Sequence, residues 1–576
     1  MTEAGGLRGT APRPWPVRGQ WLLLVAAALL ALPALAAPAP GKAAIASAHP
    51  LATAAGMEIL ARGGNAFDAA VAVSAALAVV EPNGSGPGGG GFYLLHRAGD
   101  GRQVVVDARE VAPAAATRDM FLDAAGSPVE GLSTRHAKAA GIPGEPAGWQ
   151  HLASNYGRLP LAASLAPAIR LAREGFVIDA AMRNDLDRTL RDEGHLEGPR
   201  AEFARTYLVK GEAPPVGHRL QLPDLARSLD VLAQGGADAF YRGAFARKLV
   251  RRVRDLGGIW TLEDLAGYRV IEREPIVAAY HGLRVVSAPP PSSGGVWLAS
   301  VLNVLSGYDL GQLDGATRKH VILEAMRRAH RDRAQYLGDP AFTDVPVSLL
   351  TSPDYAAGLR DSINLERATP SDLLPGYVKV GGQGPHTTHF SVLDAEGNRV
   401  GGTVTLNGWF GSGIVVPGTG ILLNNQMDDF VIKPGVPNMY GLVGAEANSI
   451  SPGKRPLSSM SPTFVEGPRG VAVLGTPGGS YIPSMVLLGI LNWQAGADAT
   501  AIVAAPRLHH QYRPDVAFVE RGALTAAEQA DLERRGHVFR AWPATIGNMN
   551  VVTWDVGTGK VDAASDPRWG GGANVR

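Results

Sequence analysis

The 576-residue sequence predicts an α+β protein, and three observations carry that reading. The stretch from Ala44 to about Gly258 has mostly helical periodicity, and the stretch from Thr387 onward alternates as strands do. Between them Pro375 to His386, with Gly376, Gly381, Gly382 and Gly384, reads as a loose connector. At 45% hydrophobic residues, the chain can bury one large core or two ordinary ones.

The N-terminus carries Arg8, Arg13 and Arg18, an apolar run from Trp21 to Leu35, and the small-x-small site Ala34-Leu35-Ala36. That order predicts a secretory signal over residues 1–36, cleaved near Ala36, and hence an exported protein, periplasmic or extracellular. The apolar run is shorter than the roughly 20 residues a spanning helix needs. An uncleaved anchor is the alternative.

Leu51 to Arg62 reads as a helix stopped by Gly63-Gly64, and Ala66 to Val80 as a second that ends before Pro82. Helices so dense in alanine bury small side chains on several sides and are expected against a sheet. Gly88 to Gly91 leads into the strand Phe92-Tyr93-Leu94-Leu95. Gly86, Gly88 and Gly91 have the spacing of a dinucleotide loop, but a helix should follow such a loop and here a strand does. Arg247 to Arg254 is interrupted by Leu249, Val250 and Val253 at helical spacing, which predicts the solvated face of a helix rather than a phosphate site. A polar, charged helix over Ala316 to Tyr336 stops at Gly338 before Pro340. Thr387 to Leu393 and Arg399 to Leu406 alternate about a turn at Asp394 to Asn398, a hairpin signature.

Several chemistries are excluded. The charges nearly cancel, leaving +1, which gives no reason to expect nucleic acid as a partner. The absence of cysteine removes thiol catalysis, cysteine metal sites and disulfides. No Gly-x-Ser-x-Gly elbow, His-Glu-x-x-His or Gly-Lys-Ser/Thr phosphate loop occurs. His509 and His510 are adjacent, so on a strand they face opposite ways and suit hydrogen bonding better than one metal. No cofactor and no metal are expected.

The remaining polar clusters lie in the last third. A threonine hydroxyl is a poor nucleophile without a base, and the freed α-amine of an N-terminal threonine is one, with a reference pKa of about 7.7–8.0. The junction Gly384-Pro385-His386-Thr387-Thr388-His389 could expose such an amine if the Thr387 hydroxyl first attacked its own preceding carbonyl. Thr-Thr is also ordinary strand sequence. If the hairpin folds about Glu396, residues whose numbers sum to about 792 face one another, which puts Thr405 beside Thr387 and Asn407 just beyond. Asn424 to Phe430 gathers amides and the carboxylates of Asp428 and Asp429, suited to an ammonium, to calcium or to capping a loop. Pro456 to Pro462 offers hydroxyls for a carboxylate, and Thr476 to Ser480 offers unobstructed backbone N–H groups for an oxyanion. Together they suit a zwitterionic amino acid carrying a cleavable amide.

In these motifs the sequence resembles the gamma-glutamyltranspeptidase (glutathione hydrolase) family. The resemblance runs from about residue 44 to 568 through Gly63 to Ala66, Gly88 to Phe92, Asp107 to Glu110, Pro289 to Gly295, Tyr336 to Pro340, Thr387 to His389, Asn424 to Phe430, Pro456 to Pro462, Pro477 to Ser480 and Ser565 to Arg568. It implies a four-layer αββα N-terminal nucleophile hydrolase, self-cleaved into a large subunit, 37–386, and a small subunit, 387–576, that remain a heterodimer. It further implies Thr387 as nucleophile, Thr405 as its support, and Gly478 and Gly479 as the oxyanion hole. Arg109, Ser458 and Ser459 would hold the substrate carboxylate, Asn407, Gln426 and Asp429 its ammonium, and Tyr440 would sit in the loop covering the pocket. The implied partners are glutathione and other γ-glutamyl donors, with water, amino acids or dipeptides as acceptors. A related cephalosporin (glutaryl) acylase is the alternative, disfavoured by Asp429 and Gln426 because a glutaryl group has no ammonium. Gly408-Trp409, Pro87 and Pro385-His386 depart from the family pattern, the first on the expected acceptor side.

Overall fold

Alternation along single strands decides the architecture. Ala44 and Ala46 join one apolar cluster and Ile45 another; Phe92 and Leu94 go with the first, Tyr93 and Leu95 with the second. Each strand is thus buried on both faces, which requires a covering layer on either side. The structure, a computed structural model, describes residues 39–193, 196–374, 387–543 and 546–576. The expected signal and the connector Pro375 to His386 lie outside them. The chain divides into a short unit, Met1–Ala39, and one compact unit, Pro40–Arg576. Only the second is described below.

Two sheets carry the fold. Their strands in chain order are β1 (Ala44–Ser47), β2 (Gly90–Arg97), β3 (Arg102–Ala108), β4 (Ile271–Arg273), β5 (Ile276–Tyr280), β6 (Leu283–Ser287), β7 (Thr388–Leu393), β8 (Arg399–Thr405), β9 (Thr463–Gly467), β10 (Gly470–Gly475), β11 (Asn550–Asp555), β12 (Val561–Ser565) and β13 (Gly572–Val575). The first sheet has the order β13-β1-β7-β8-β2-β3-β4 and the second β12-β11-β10-β9-β6-β5, antiparallel throughout. Phe92, Leu94, Val285, Phe464 and Val473 fill the space between them. Helices α1 (Pro50–Ala61), α2 (Ala66–Val80) and α3 (Glu145–Asn155) pack against the outer face of the first sheet. Helices α4 (Gly294–Leu305), α5 (Gly315–Tyr336) and α6 (Ile482–Gln494) cover the second, giving the αββα sandwich.

The segregation read from periodicity needs correcting in one respect. Strands from before and after Thr387 alternate within both sheets: β7 lies between β1 and β8, and β9 between β10 and β6. A half that reads as helix-rich still contributes six of the strands named above, β1 to β6; β1 and most of β2 are buried on both faces and so lack the polar alternation that marks a half-exposed strand. The break at residue 387 is therefore not a domain boundary.

Local signals held where they were strong. Asn65 caps α2 through a reciprocal box with Asp68, and all of α2 is buried, as its alanine content requires. Gly56 lets α1 approach: a Cβ there would lie 2.6 Å from both Ile45 and Val73. The Arg247 to Arg254 run sits on the helix Gly243–Asp255, which buries Ala246, Leu249, Val250 and Val253 and exposes Arg247, Arg251, Arg252 and Arg254. Among the described residues, no helix is long and apolar enough to cross a membrane.

Beneath the first sheet, Glu145 accepts hydrogen bonds from Ser74 and Tyr93, and Trp149 Nε1 donates to Ser74 at 2.9 Å. Burial raises the Glu145 carboxyl to about 7. A carboxyl raised on folding contributes stability that is lost as pH rises from its unfolded value, near 4.5, through about 7. Glu145→Gln removes that titration. It is expected to gain on wild type by about 1.4 kcal/mol per pH unit between roughly pH 5 and 7. Urea midpoints compared at those pH values check this; a difference independent of pH would contradict it.

Candidate active site

Thr387 stands at the head of β7, and the hairpin with β8 sets what faces it. Arg399 pairs with Leu393 and Val404 with Thr388, a constant sum of 792, so Thr405 falls opposite Thr387 as the alternation predicted. The two hydroxyl oxygens are 3.2 Å apart, and Thr405 Oγ1 also accepts the Asn407 N–H at 2.8 Å. The glycine run before β2 makes room for this strand. A Cβ on Gly89 would lie 2.0 Å from the Thr405 carbonyl oxygen, and one on Gly91 2.4 Å from that of Thr403. The run is a steric requirement of the hairpin rather than a nucleotide loop.

After β8 the chain turns at Asn407, whose φ of 77° lies in the left-handed region that asparagine tolerates. Its amide donates to the Asn425 carbonyl at 2.9 Å. Tyr440, from the loop after Phe430, donates its hydroxyl to both Asn407 Oδ1 and its carbonyl, at 2.6 and 2.7 Å. On the far side of its ring lies Gly479, where a Cβ would meet ring carbons at 2.6–2.8 Å. Gly479→Ala is thus expected to push Tyr440 off Asn407, read as faster hydrogen–deuterium exchange across residues 431–448. Unchanged exchange would contradict the contact.

Arg109 follows the last residue of β3. The Asp107 side chain accepts the Arg109 N–H at 2.9 Å and also binds Arg455 and Arg273, which anchors this strand end. The Arg109 guanidinium is 1% exposed and reaches the Pro456 carbonyl through Nε at 3.2 Å. Its Nη2 lies 2.5 Å from Asp429 Oδ2. Gln426 donates to the same Asp429 oxygen at 2.6 Å, while its own Oε1 is buried without a partner. Burial raises the Asp429 carboxyl and Arg109 opposes that rise. Asp428, its neighbour, points elsewhere: it accepts Ser133 Oγ at 2.7 Å and the Met439 N–H at 2.9 Å, which tethers the Tyr440 loop. Ser458 is held by Pro291, whose carbonyl accepts its N–H at 2.8 Å, and its hydroxyl accepts the Met460 N–H at 3.0 Å.

These elements form a small, partly open cleft lined by Arg109, Thr387, Thr405, Asn407, Gln426, Asp429, Tyr440, Ser458, Ser459 and Gly479. Gly478 instead lines an adjoining cavity that shares Thr387. One charged wall residue escaped sequence reading. Arg333, near the end of α5, is buried on the cleft wall and donates to Ser293 Oγ at 3.2 Å. Burial lowers its pKa to about 10, against the attraction of Asp429. Its signal was only the arginine content of a helix that reads as solvated. Among the described residues, no histidine or lysine lines the cleft. His389 is turned away between Thr403 and Ser391, and burial takes it down to about 3. His509 instead hydrogen-bonds Ser484 and Gln511, and His510, lowered to about 4 by burial, lies 3.3 Å from Asp515. No group of three or more potential metal-binding His, Cys, Asp or Glu side chains occurs among the described residues.

Comparison with known proteins agrees with this geometry. The sequence profile described as gamma-glutamyltranspeptidase matches residues 52–575. A glutathione hydrolase proenzyme of Escherichia coli strain K12 is 43% identical over 530 residues, covering 91% of this chain and 90% of its own. One from Pseudomonas sp. strain A14 is 42% identical over 536 residues, covering 91% and 92%. The crystal structure of a cephalosporin acylase from Bacillus halodurans superposes with a TM-score of 0.81 at 30% identity, covering 92% of this chain and 95% of its own. By its near-complete profile match and these relatives, the chain belongs to the gamma-glutamyltranspeptidase family.

Proposed function

We propose that this protein is a self-processing γ-glutamyltransferase and glutathione hydrolase, exported after loss of residues 1–36, with Thr387 as the nucleophile of both its reactions. The observation that carries the reading is the pairing of the Thr387 and Thr405 hydroxyls at 3.2 Å on the wall of a cleft that also holds Arg109 and Asp429. Processing begins with attack of Thr387 Oγ1 on the His386 carbonyl carbon. The C–N bond breaks, an ester forms and the Thr387 amine is freed; water then cleaves the ester, leaving chains 37–386 and 387–576. That new amine is the base at hand, since among the described residues no histidine or lysine lines the cleft.

A γ-glutamyl donor is then held at both of its charges. Arg109, with the Ser458 and Ser459 hydroxyls, takes the α-carboxylate; Asp429, Gln426 Oε1 and Asn407 take the α-ammonium. Arg109 and Asp429 pair with each other, and a bound zwitterion exchanges that ion pair for two. Thr387 Oγ1 attacks the γ-carbonyl and passes its proton through the α-amine to the leaving amine. The backbone N–H groups of Gly478 and Gly479 receive the oxyanion, each such donor being worth about 3–4 kcal/mol in a dry site. Water or an acceptor amine then takes the glutamyl group from the ester.

The acylase fold neighbour favours a second reading, removal of a glutaryl side chain. Purified protein assayed with γ-glutamyl-p-nitroanilide and with glutaryl-p-nitroanilide separates the two. The retained ammonium site predicts a clear preference for the γ-glutamyl donor, and a preference for glutaryl would overturn the proposal.

A further inference from the structure

Thr387 and Gly478 also line a second, partly open pocket, which shares Thr387 with the cleft. Its wall includes Glu81, Asp179, Asp185 and Asn548, and no lysine or arginine among the described residues. Glu81 follows the last residue of α2 beside the Thr388 hydroxyl, one residue from the nucleophile. Two acceptors on this wall are buried without a hydrogen-bond partner: Glu81 Oε2 and Oδ1 of Asn548, a residue only 5% exposed. Asp185, equally buried, receives the Asn83 amide at 2.7 Å. The carboxyls crowd one another. Burial first, and then the neighbouring acidic groups, push Glu81 and Asp185 up to about 8. Arg188 partly offsets Asp185, but its guanidinium lies over the Trp409 ring at 4.7 Å. His49, also on the wall, is lowered by burial and adds no charge at neutral pH.

A pocket with unpaired acceptors and several carboxyls, and with His49 as the one basic side chain among the described residues of its wall, suits a cation and disfavours a carboxylate. The glutamyl half is assigned to the cleft that holds Arg109 and Asp429, and this pocket shares Thr387 with it, so an occupant here lies beside the residue that carries the ester. Resting on the γ-glutamyl reading above, we propose that this cavity is an acceptor subsite selective for diamines, compounds with one free amine to attack and a second, protonated amine held by Glu81, Asp185 and Asn548. The free amine attacks the ester carbonyl, the C–N bond forms and the C–Oγ1 bond breaks. Its proton returns to Thr387 Oγ1 through the α-amine, while the ammonium end stays bound.

The test uses the processed protein with γ-glutamyl-p-nitroanilide as donor. Transfer to 1,4-diaminobutane is compared with transfer to 4-aminobutanol, both expressed per concentration of free amine. Wild type should favour the diamine by about tenfold or more in kcat/KM, and Glu81→Gln should bring that ratio toward unity. Asp185→Asn serves as the second variant if Glu81→Gln fails to process. Normal donor hydrolysis with equal use of both acceptors would overturn the subsite alone. Absence of donor hydrolysis would overturn the active-site reading and the subsite with it.

Discussion

Thr387→Ala is expected to leave the protein as one uncut chain and to lower γ-glutamyl-p-nitroanilide hydrolysis by about 10⁴-fold or more, the scale on which nucleophile removal acts. Two losses coincide in this variant. The hydroxyl that would open the His386–Thr387 bond is gone, and without that cleavage no α-amine is freed. The fold should survive, because Thr387 contributes one side-chain hydrogen bond, to Thr405, worth about 1 kcal/mol. A denaturing gel and a melting curve on the same sample separate these points. Efficient cleavage in this variant would remove Thr387 from the processing step.

Arg109→Ala should have the next largest effect, acting on KM more than on kcat. It removes the proposed partner of the substrate carboxylate and the cation that hydrogen-bonds Asp429, leaving that carboxyl beside Gln426 with only the more distant Arg333 to attract it. Breaking a buried pair from one side typically costs about 3–5 kcal/mol, so a fall of about 10²–10³-fold in kcat/KM is expected together with lower stability. The double replacement Arg109→Met with Asp429→Leu distinguishes the two effects. Replacing both charges should recover most of the stability and none of the binding. Recovery of activity in the double variant, or an unchanged KM in Arg109→Ala, would contradict the zwitterion site.

Much of this site was legible because its parts are local. The turn at Asp394 to Asn398 sets the hairpin register, and the register puts Thr405 beside Thr387 with no long-range information. The caps and stops around α2 and the amphipathic arginine run are likewise short-range features. The joining of distant segments was not legible from patterning. Arg109 meets Asp429 across 320 positions, and it was reached only through resemblance to a family. Arg333 stayed hidden because a helix rich in charge reads as solvated, whereas α5 buries Glu324, Arg327, Arg328 and Arg333 through paired charges and hydrogen bonds. The interleaving of strands was hidden for a related reason. Periodicity reports the environment of each strand but not its neighbours.

The central claim is that Thr387 is freed as an N-terminus and then carries the glutamyl group. Mass spectrometry of the wild-type protein, quenched in acid during turnover of γ-glutamyl-p-nitroanilide, tests both halves at once. The account predicts a small fragment beginning at Thr387 and spanning 387–576, part of it heavier by one glutamyl group, with the added mass on Thr387. A single uncut chain, a fragment beginning elsewhere, or a glutamyl group on another residue would contradict it.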